Sequence, residues 1–288
     1  MRKFSPSSTV TFGQCPLRWH LSQQGWTQGV LAKRDLAAWI GQAVAVGMEK
    51  FHLSQLRDGE PLPAEEWLTP SDAARSGLMD LELRMRNAYA AGRVLPPELE
   101  VEQEAAFGRV DAAIQALVAK QPLRPTWTTV GAELCLTDWG NARIDLLVDT
   151  HDGLMVVDYK VKVSATAYQL SQAQQDYQHS NQLYHYVAAL RDAGFQVDFT
   201  AICMCVIEPK PKILLWQYDV DEWYLERLRH SWTQTWSRMA LVKDGAQPEM
   251  AFEHRDRYGM CEYAELCLDA AGDINAASLV GLVKQERS

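Results

Sequence analysis

The chain has 288 residues, 47% of them hydrophobic, and a formal net charge of -9. That is enough apolar material for one substantial core, or a core with a satellite subdomain, and the charge weighs against coating nucleic acid by bulk electrostatics. No segment has the uninterrupted apolar length that spans a bilayer. The opening Met1-Arg2-Lys3-Phe4-Ser5-Pro6 lacks the apolar run of a secretory signal, so a cytoplasmic location is expected.

In chain order, apolar residues at Leu36, Ile40, Val44, Met48 and Phe51 keep a spacing of three and four that predicts a helix from Leu31 to about Leu56, ended by Gly59 and the Pro61/Pro63 pair. A second helix is predicted after Thr69-Pro70-Ser71, through Leu78, Leu81 and Met85 to Gly92. Pro96-Pro97 opens a third, through Val110, Ile114 and Leu117, stopped by Pro122 and Pro125. The pattern then changes to strands at Thr126–Leu136, Ala142–Val148 and Leu154–Val161, the last two separated by the turn residues Asp149-Thr150-His151-Asp152-Gly153. A long helix from about Ser171 to Leu190 follows, then strands near Val197–Ile207 and Ile213–Tyr218, and a helix from Asp221 to about Val242. Helices, three strands, a helix and two more strands imply an α/β or α+β domain with a central mixed sheet. No internal repeat or low-complexity segment is visible. The expected organisation is a helical region over 1–125, a core over 126–220 and a C-terminal helix with a cysteine-bearing tail over 221–288, packed as one unit.

Six cysteines in an intracellular chain of this length do not suggest a disulfide framework. Cys203 and Cys205, in Ala201-Ile202-Cys203-Met204-Cys205-Val206-Ile207, read as small buried hydrophobes of a strand. Close basic pairs, among them Lys33-Arg34, Arg84/Arg86, Lys160/Lys162, Lys210/Lys212 and Arg227/Arg229, offer a local rim for phosphates, although most are expected to be ordinary solvated surface.

The informative stretch is Asn141-Ala142-Arg143-Ile144-Asp145-Leu146-Leu147-Val148, followed by Met155-Val156-Val157-Asp158-Tyr159-Lys160. Each sets a carboxylate among residues that should be buried strand. Alternation puts Asp158, Lys160 and Lys162 on one face of the second strand, and Val157, Tyr159 and Val161 on the other. The intervening turn brings Asp145 near Asp158, and two such carboxylates repel one another unless a cation lies between them. Hard oxygen ligands with room for water suit Mg²⁺ or Mn²⁺. Such a metal polarises a phosphodiester and lowers the pKa of water, while Lys160 stabilises charge developing on the phosphate. An isolated Asp-x-Lys recurs by chance as a surface pair, so the assignment rests on its surroundings.

With those surroundings the chain resembles the RecB-like exonuclease branch of the PD-(D/E)XK nucleases. The family pattern is a G-R-I-D strand, a hairpin, a V-V-D-Y-K strand and a helix bearing Q-x-x-x-Y. Here these are Ala142-Arg143-Ile144-Asp145, with alanine where glycine is usual, then Val156 to Lys160, then Gln182-Leu183-Tyr184-His185-Tyr186. The resemblance implies a restriction-endonuclease-like core and catalytic roles for Asp145, Asp158, Lys160, Gln182 and Tyr186. Gln182 and Tyr186, at i and i+4 on one helix face, would support the lysine and contact DNA. Glu133 matches a glutamate often found before the first ligand strand; it reads either as an additional ligand through water or as a solvent-facing strand residue.

Two features depart from the family. Its early-helix histidine ligand follows a G-x-x-x-H pattern, but Ile40-Gly41-Gln42-Ala43-Val44-Ala45 puts Ala45 there. Glu49, one turn later, either substitutes or is an ordinary helix-surface residue. Iron–sulfur members, similar to CRISPR-adaptation and AddB-type nucleases, carry one cysteine before the core and C-x2-C-x5-C after it. Cys15 in Gln14-Cys15-Pro16-Leu17-Arg18 resembles the first, and Cys261 and Cys267 keep the downstream spacing, but Tyr258 stands where the first cysteine of the triplet belongs. Three readings stay open: a degenerate cluster site, an iron–sulfur cluster with a non-cysteine ligand, or zinc held by Cys15, Cys261, Cys267 and His254.

The resemblance implies a divalent-metal-dependent DNA nuclease, an exonuclease or structure-selective endonuclease, acting on single- or double-stranded DNA in recombination, repair or phage DNA processing. With no Walker A loop, the chain has no helicase motor of its own, so a helicase or recombination protein is an expected partner, and a membrane is not. The alternative is a catalytically weakened nucleic-acid-binding or scaffold module on the same fold.

Overall fold

The computed structural model describes residues 4–57, 60–140, 142–246 and 248, together with the backbone of three short strands nearer the C-terminus. In chain order the elements are α1 (Pro6–Gln14), α2 (Pro16–Gln23), β1 (Trp26–Gln28), α3 (Lys33–Leu53), β2 (Leu56–Arg57), β3 (Glu60–Pro61), α4 (Pro70–Ala90), α5 (Glu100–Val118), β4 (Thr128–Leu136), β5 (Ala142–Thr150), β6 (Gly153–Lys162), α6 (Ala167–Gln178), α7 (Asn181–Asp192), β7 (Val197–Val206), β8 (Lys212–Asp219), α8 (Glu222–Lys243), β9 (Arg255–Asp256), β10 (Gly259–Met260) and β11 (Leu282–Lys284). Many helix starts follow from local chemistry. Ser5, Thr69 and Asp221 accept backbone N–H groups at the starts of α1, α4 and α8, and Thr166 with Gln169 forms a reciprocal cap on α6.

The central sheet has the order β4-β5-β6-β7-β8. The first three strands form an antiparallel meander, β7 runs parallel to β6 after a crossover through α6 and α7, and β8 returns antiparallel to β7. This is the expected mixed sheet, flanked by helices on both faces in a restriction-endonuclease-like α/β arrangement. One face packs residues such as Ile144, Val156 and Ile202 against α7 and α8, with Phe12 and Trp19 of the first two helices in the same cluster. The opposite face packs Leu146, Val157 and Ala201 against α3, α4 and α5. The first 125 residues therefore serve both faces. Their opening helices cover one, and the three long helices cover the other.

The predicted long helices at the start of the chain appear as α3, α4 and α5, and the five predicted strands all form. The single helix expected from Ser171 to Leu190 does not. It is two helices, α6 and α7, broken where His179 leaves helical geometry (φ -117, ψ 38) and Ser180 becomes extended. Contacts from α8 fix the break. The Tyr224 hydroxyl donates to the His179 carbonyl at 3.1 Å, and the Trp232 indole donates to the Asn181 side chain at 2.9 Å. Long-range hydrogen bonds here override a continuous helical period.

Candidate active site

The antiparallel pairing of β5 with β6 runs up to Leu146 opposite Val157 and stops. The next residues on the two strands are Asp145 and Asp158. Where the strands part, the Tyr159 backbone N–H donates at 2.9 Å to the Asp145 carboxylate instead of to a ladder carbonyl. The alternation expected for β6 is present. Val157, Tyr159 and Val161 pack with the α3–α5 face, while Lys160 and Asp158 meet α7.

On that α7 side, Lys160 Nζ lies 2.6 Å from Asp158 Oδ2, and Asp158 is only 1% exposed. Gln182 joins the group from above. Its Oε1 accepts from Lys160 Nζ at 3.0 Å, and its Nε2 donates to Asp158 Oδ1 at 3.1 Å and to the Tyr186 hydroxyl at 2.7 Å. One amide thus holds the carboxylate, the ammonium and the phenol, which requires Gln182 and Tyr186 on one helix face. The helix break places that face: α7 starts at Asn181, one residue before Gln182.

The electrostatics are those of a site short of positive charge. Burial, and next the neighbouring Asp158, push the Asp145 pKa well above the usual carboxylate range. Burial works against the Lys160 ammonium, but Asp158 and then Asp145 outweigh it, and its pKa is raised. Burial and Asp158 also raise the Tyr186 phenol, which stays protonated.

Glu133 and Glu49 reach the same region by way of Arg143. Arg143 Nε is 2.5 Å from Glu133 Oε2, and Arg143 Nη2 donates to Glu49 Oε1 at 3.0 Å. Glu133 adopts left-handed backbone geometry (φ 51) in the middle of β4, a costly conformation for a residue with a side chain. Its pKa is pushed up to about 7 by burial, against the pull of Arg143, with Glu49 adding to the rise. Glu133 in turn adds to the rise at Asp145, so the acidic field is continuous from Glu49 to Asp158. Arg143 was visible in the sequence only as part of a motif. The signal for its position was the alternation of buried Ala142 and Ile144 around it.

The donor set fits a divalent cation. Asp158 Oδ2 is buried and receives no aligned hydrogen bond, and burial and Asp158 disfavour the charged form of Asp145. A hard cation between two carboxylates relieves both conditions. Among the described residues no group of three His, Cys, Asp or Glu side chains forms a ligand set by itself, so water would complete the shell.

Other predicted residues lie apart or outside view. Cys15 caps α2, its Sγ accepting the Arg18 N–H at 3.4 Å. Cys261, Cys267, Tyr258 and His254 lie outside the described residues. Cys203 and Cys205 are fully buried in β7, as expected. Of the basic residues, Lys33, Arg84, Arg86 and Arg229 pair with Glu102, Asp80, Glu82 and Asp192, which is ordinary surface chemistry. No helix among the described residues is long and apolar enough to cross a membrane.

Comparison with solved structures finds a protein from Eubacterium rectale described as "Putative exonuclease", at 13% identity and TM-score 0.44, covering 91% of this chain and 88% of the other. No curated protein matches significantly. The model of the PD-(D/E)XK nuclease superfamily matches residues 3–268. That match runs from the first helices through Asp145, Asp158, Lys160 and the Gln182–Tyr186 helix to the cysteine-bearing tail, and the chain belongs to the PD-(D/E)XK nuclease superfamily.

Proposed function

We propose that the chain is a divalent-metal-dependent deoxyribonuclease of the RecB-like exonuclease type, hydrolysing phosphodiesters of single- or double-stranded DNA. The observation that carries this reading is the joining of Asp158, Lys160 and Tyr186 by one amide, Gln182, beside a second carboxylate, Asp145. Asp145 and Asp158 would hold Mg²⁺ or Mn²⁺. Bound there, the ion supplies Lewis acidity toward a phosphate oxygen and makes water acidic enough to react near neutral pH. Lys160 places a fixed positive charge where a phosphate gains negative charge on being attacked, and burial strengthens that interaction. Gln182 offers the ammonium a second acceptor beside Asp158 and so fixes its position. Tyr186 stays neutral and fixes the amide's orientation, so Gln182 presents its oxygen to Lys160 and its nitrogen to Asp158.

A second reading, a weakened nucleic-acid-binding module, is favoured by one observation. Ala45 offers no ligand from α3, and Glu49, the nearest acidic side chain one turn on, is held by Arg143. The test is cleavage of end-labelled single- and double-stranded DNA with Mg²⁺, with Mn²⁺ and with chelator, for the wild type and Asp158→Asn. Metal-dependent cleavage lost in the variant supports the nuclease. DNA binding without cleavage in either metal supports the weakened module.

A further inference from the structure

On the α3–α5 face of the sheet, away from Lys160 and Gln182, lies a cavity of about 130 Å³ that the reaction above does not use. Its walls include the indoles of Trp67 and Trp127 and the side chain of Leu146, and its polar groups include Gln55, Gln121 and Thr129. An engineered apolar cavity of about 150 Å³ holds a single benzene ring, so this one has room for one six-membered ring and little more.

The polar groups are set for a specific edge. Gln55 is 4% exposed, and its Oε1 is fully engaged, accepting from Thr129 Oγ1 at 3.1 Å and facing His52 Nδ1 at 3.0 Å. Burial lowers the His52 pKa to about 4, so the ring is neutral and its Nδ1 is the donor in this contact. The Gln55 Nε2 group has no hydrogen-bond partner among the described residues and is not sealed from solvent, so it is free to donate into the cavity. Gln121 shows the opposite polarity. Its Nε2 donates to the Leu117 carbonyl at 3.4 Å and to the Tyr159 hydroxyl at 3.2 Å, which leaves its Oε1 as an acceptor. The cavity thus offers one donor and one acceptor between apolar and aromatic walls. Trp67 is held in place by donation to the Leu62 carbonyl at 2.9 Å and by an edge contact with Phe51.

We propose that this cavity binds a single pyrimidine base, either in a free nucleoside or nucleotide or as an unpaired residue of a DNA strand. A pyrimidine presents a carbonyl beside a ring N–H, or an amino group beside a ring nitrogen, and either pair complements the Gln55 donor and Gln121 acceptor. Its flat faces suit the indoles, on which bases stack with little regard to sequence. The small volume favours a pyrimidine over the larger purine. The site touches the proposed catalytic region through Tyr159, whose hydroxyl meets Gln121 while its N–H holds Asp145, and through Leu146, the chain neighbour of Asp145.

The test is titration of the full chain with thymidine, followed by ligand-observed NMR. EDTA and the absence of phosphate keep the carboxylate site out of the measurement, so failure of the nuclease reading leaves the result unaffected. Adenosine and 2-deoxyribose are the comparators. A second arm compares a short oligothymidylate with an abasic strand of equal length. Saturable binding of thymidine over adenosine, weakened about 10-fold or more by Trp127→Ala and by Gln55→Leu, is the expected result. Trp127 is partly exposed, so its variant remains informative where Gln55→Leu disturbs folding. Binding of only the oligothymidylate, lost in the same variants, assigns the base to the strand. The proposal is overturned if neither arm saturates, if adenosine binds as well as thymidine, or if Trp127→Ala binds like the wild type.

Discussion

Strand β6 has two sides, and they treat buried polarity in opposite ways. Toward α7 it presents Asp158 and Lys160, an ion pair beside a second carboxylate whose pKa is driven up. Toward α3 it presents Tyr159, whose hydroxyl lies 2.7 Å from His52 Nε2, with Gln55 and Gln121 completing a neutral network. The neutral side carries no net charge and leaves only Gln55 Nε2 and Gln121 Oε1 facing the cavity, so its polar groups are tolerated at low cost. The charged side has more negative charge than its own cation can balance. That imbalance distinguishes the two sides, although both are largely buried and come from adjacent residues.

The largest effect is expected from breaking the charged side. Asp158→Asn, Asp145→Asn and Lys160→Ala should each lower DNA cleavage by ~100-fold or more, the scale of losing a central electrostatic stabiliser. The fold should survive in all three. In chelator Asp145→Asn should raise the melting temperature, because it removes a carboxylate that burial and Asp158 disfavour. Wild-type cleavage by well-purified Asp158→Asn would remove the site assignment.

The second prediction uses pH to set the two sides against each other. Burial lowers the His52 pKa to about 4, so between that value and the ordinary histidine value the unfolded chain binds more protons. The His52 contribution is therefore fully present near neutral pH and is lost as pH falls, on the order of 2 kcal/mol by about pH 5. Asp145 and Glu133 have raised pKa values, so without metal their contribution has the opposite sign and is lost as pH rises. Denaturant melts in EDTA should show that His52→Gln flattens the acid loss while Asp145→Asn steepens it. Equal pH profiles for the two variants would contradict this assignment of opposite signs.

These features differ in how far the sequence revealed them. Asp145, Asp158 and Lys160 were legible because a carboxylate inside an apolar strand is conspicuous, and a hairpin between two such strands leaves little freedom. Gln182 and Tyr186 were legible as a helical i, i+4 pair, although the break at His179 that aims them was not, since it depends on Tyr224 and Trp232 some 45 and 51 residues away. Helices α1 and α2 escaped notice because each is under ten residues, too short to display a helical period. The His52–Tyr159 contact joins residues 107 apart in sequence, and His52 belongs to no recognisable pattern.

The helical layer on the neutral side supplies a third, smaller prediction. Gly77 in α4 lies against α3 and α5 so closely that an added Cβ would be 2.7 Å from the Ala43 carbonyl oxygen and 2.5 Å from Ile114 Cδ1. The isoleucine can move, but the backbone oxygen cannot without shifting α3. Gly77→Ala gains up to about 1 kcal/mol of helix propensity and incurs about 1–3 kcal/mol of overpacking. A net loss of about 1 kcal/mol in urea titration is expected, with metal-dependent cleavage unchanged. Stabilisation by this variant would show that α3 and α4 are less tightly apposed.

The smallest effect belongs to the seam where the two sides meet. Glu49, on α3, is tied to Arg143, and Arg143 also holds Glu133, whose charge acts on Asp145. If Glu49 contributes to metal binding, it does so through this chain or through water, because its carboxylate is already engaged. Glu49→Ala removes negative charge from the field and also leaves the whole Arg143 guanidinium to Glu133. Both changes disfavour a cation at Asp145, so the metal concentration for half-maximal cleavage should rise by about 3-fold, well short of losing a direct ligand. Ala45→His should move it the other way by adding a nitrogen donor one turn earlier on the same helix, with a larger gain in Mn²⁺ than in Mg²⁺, since imidazole suits the softer ion. Metal titrations of cleavage on the two variants measure both shifts. If neither variant moves the midpoint, α3 does not reach the metal, and the acidic field ends at Asp145 rather than at Glu49.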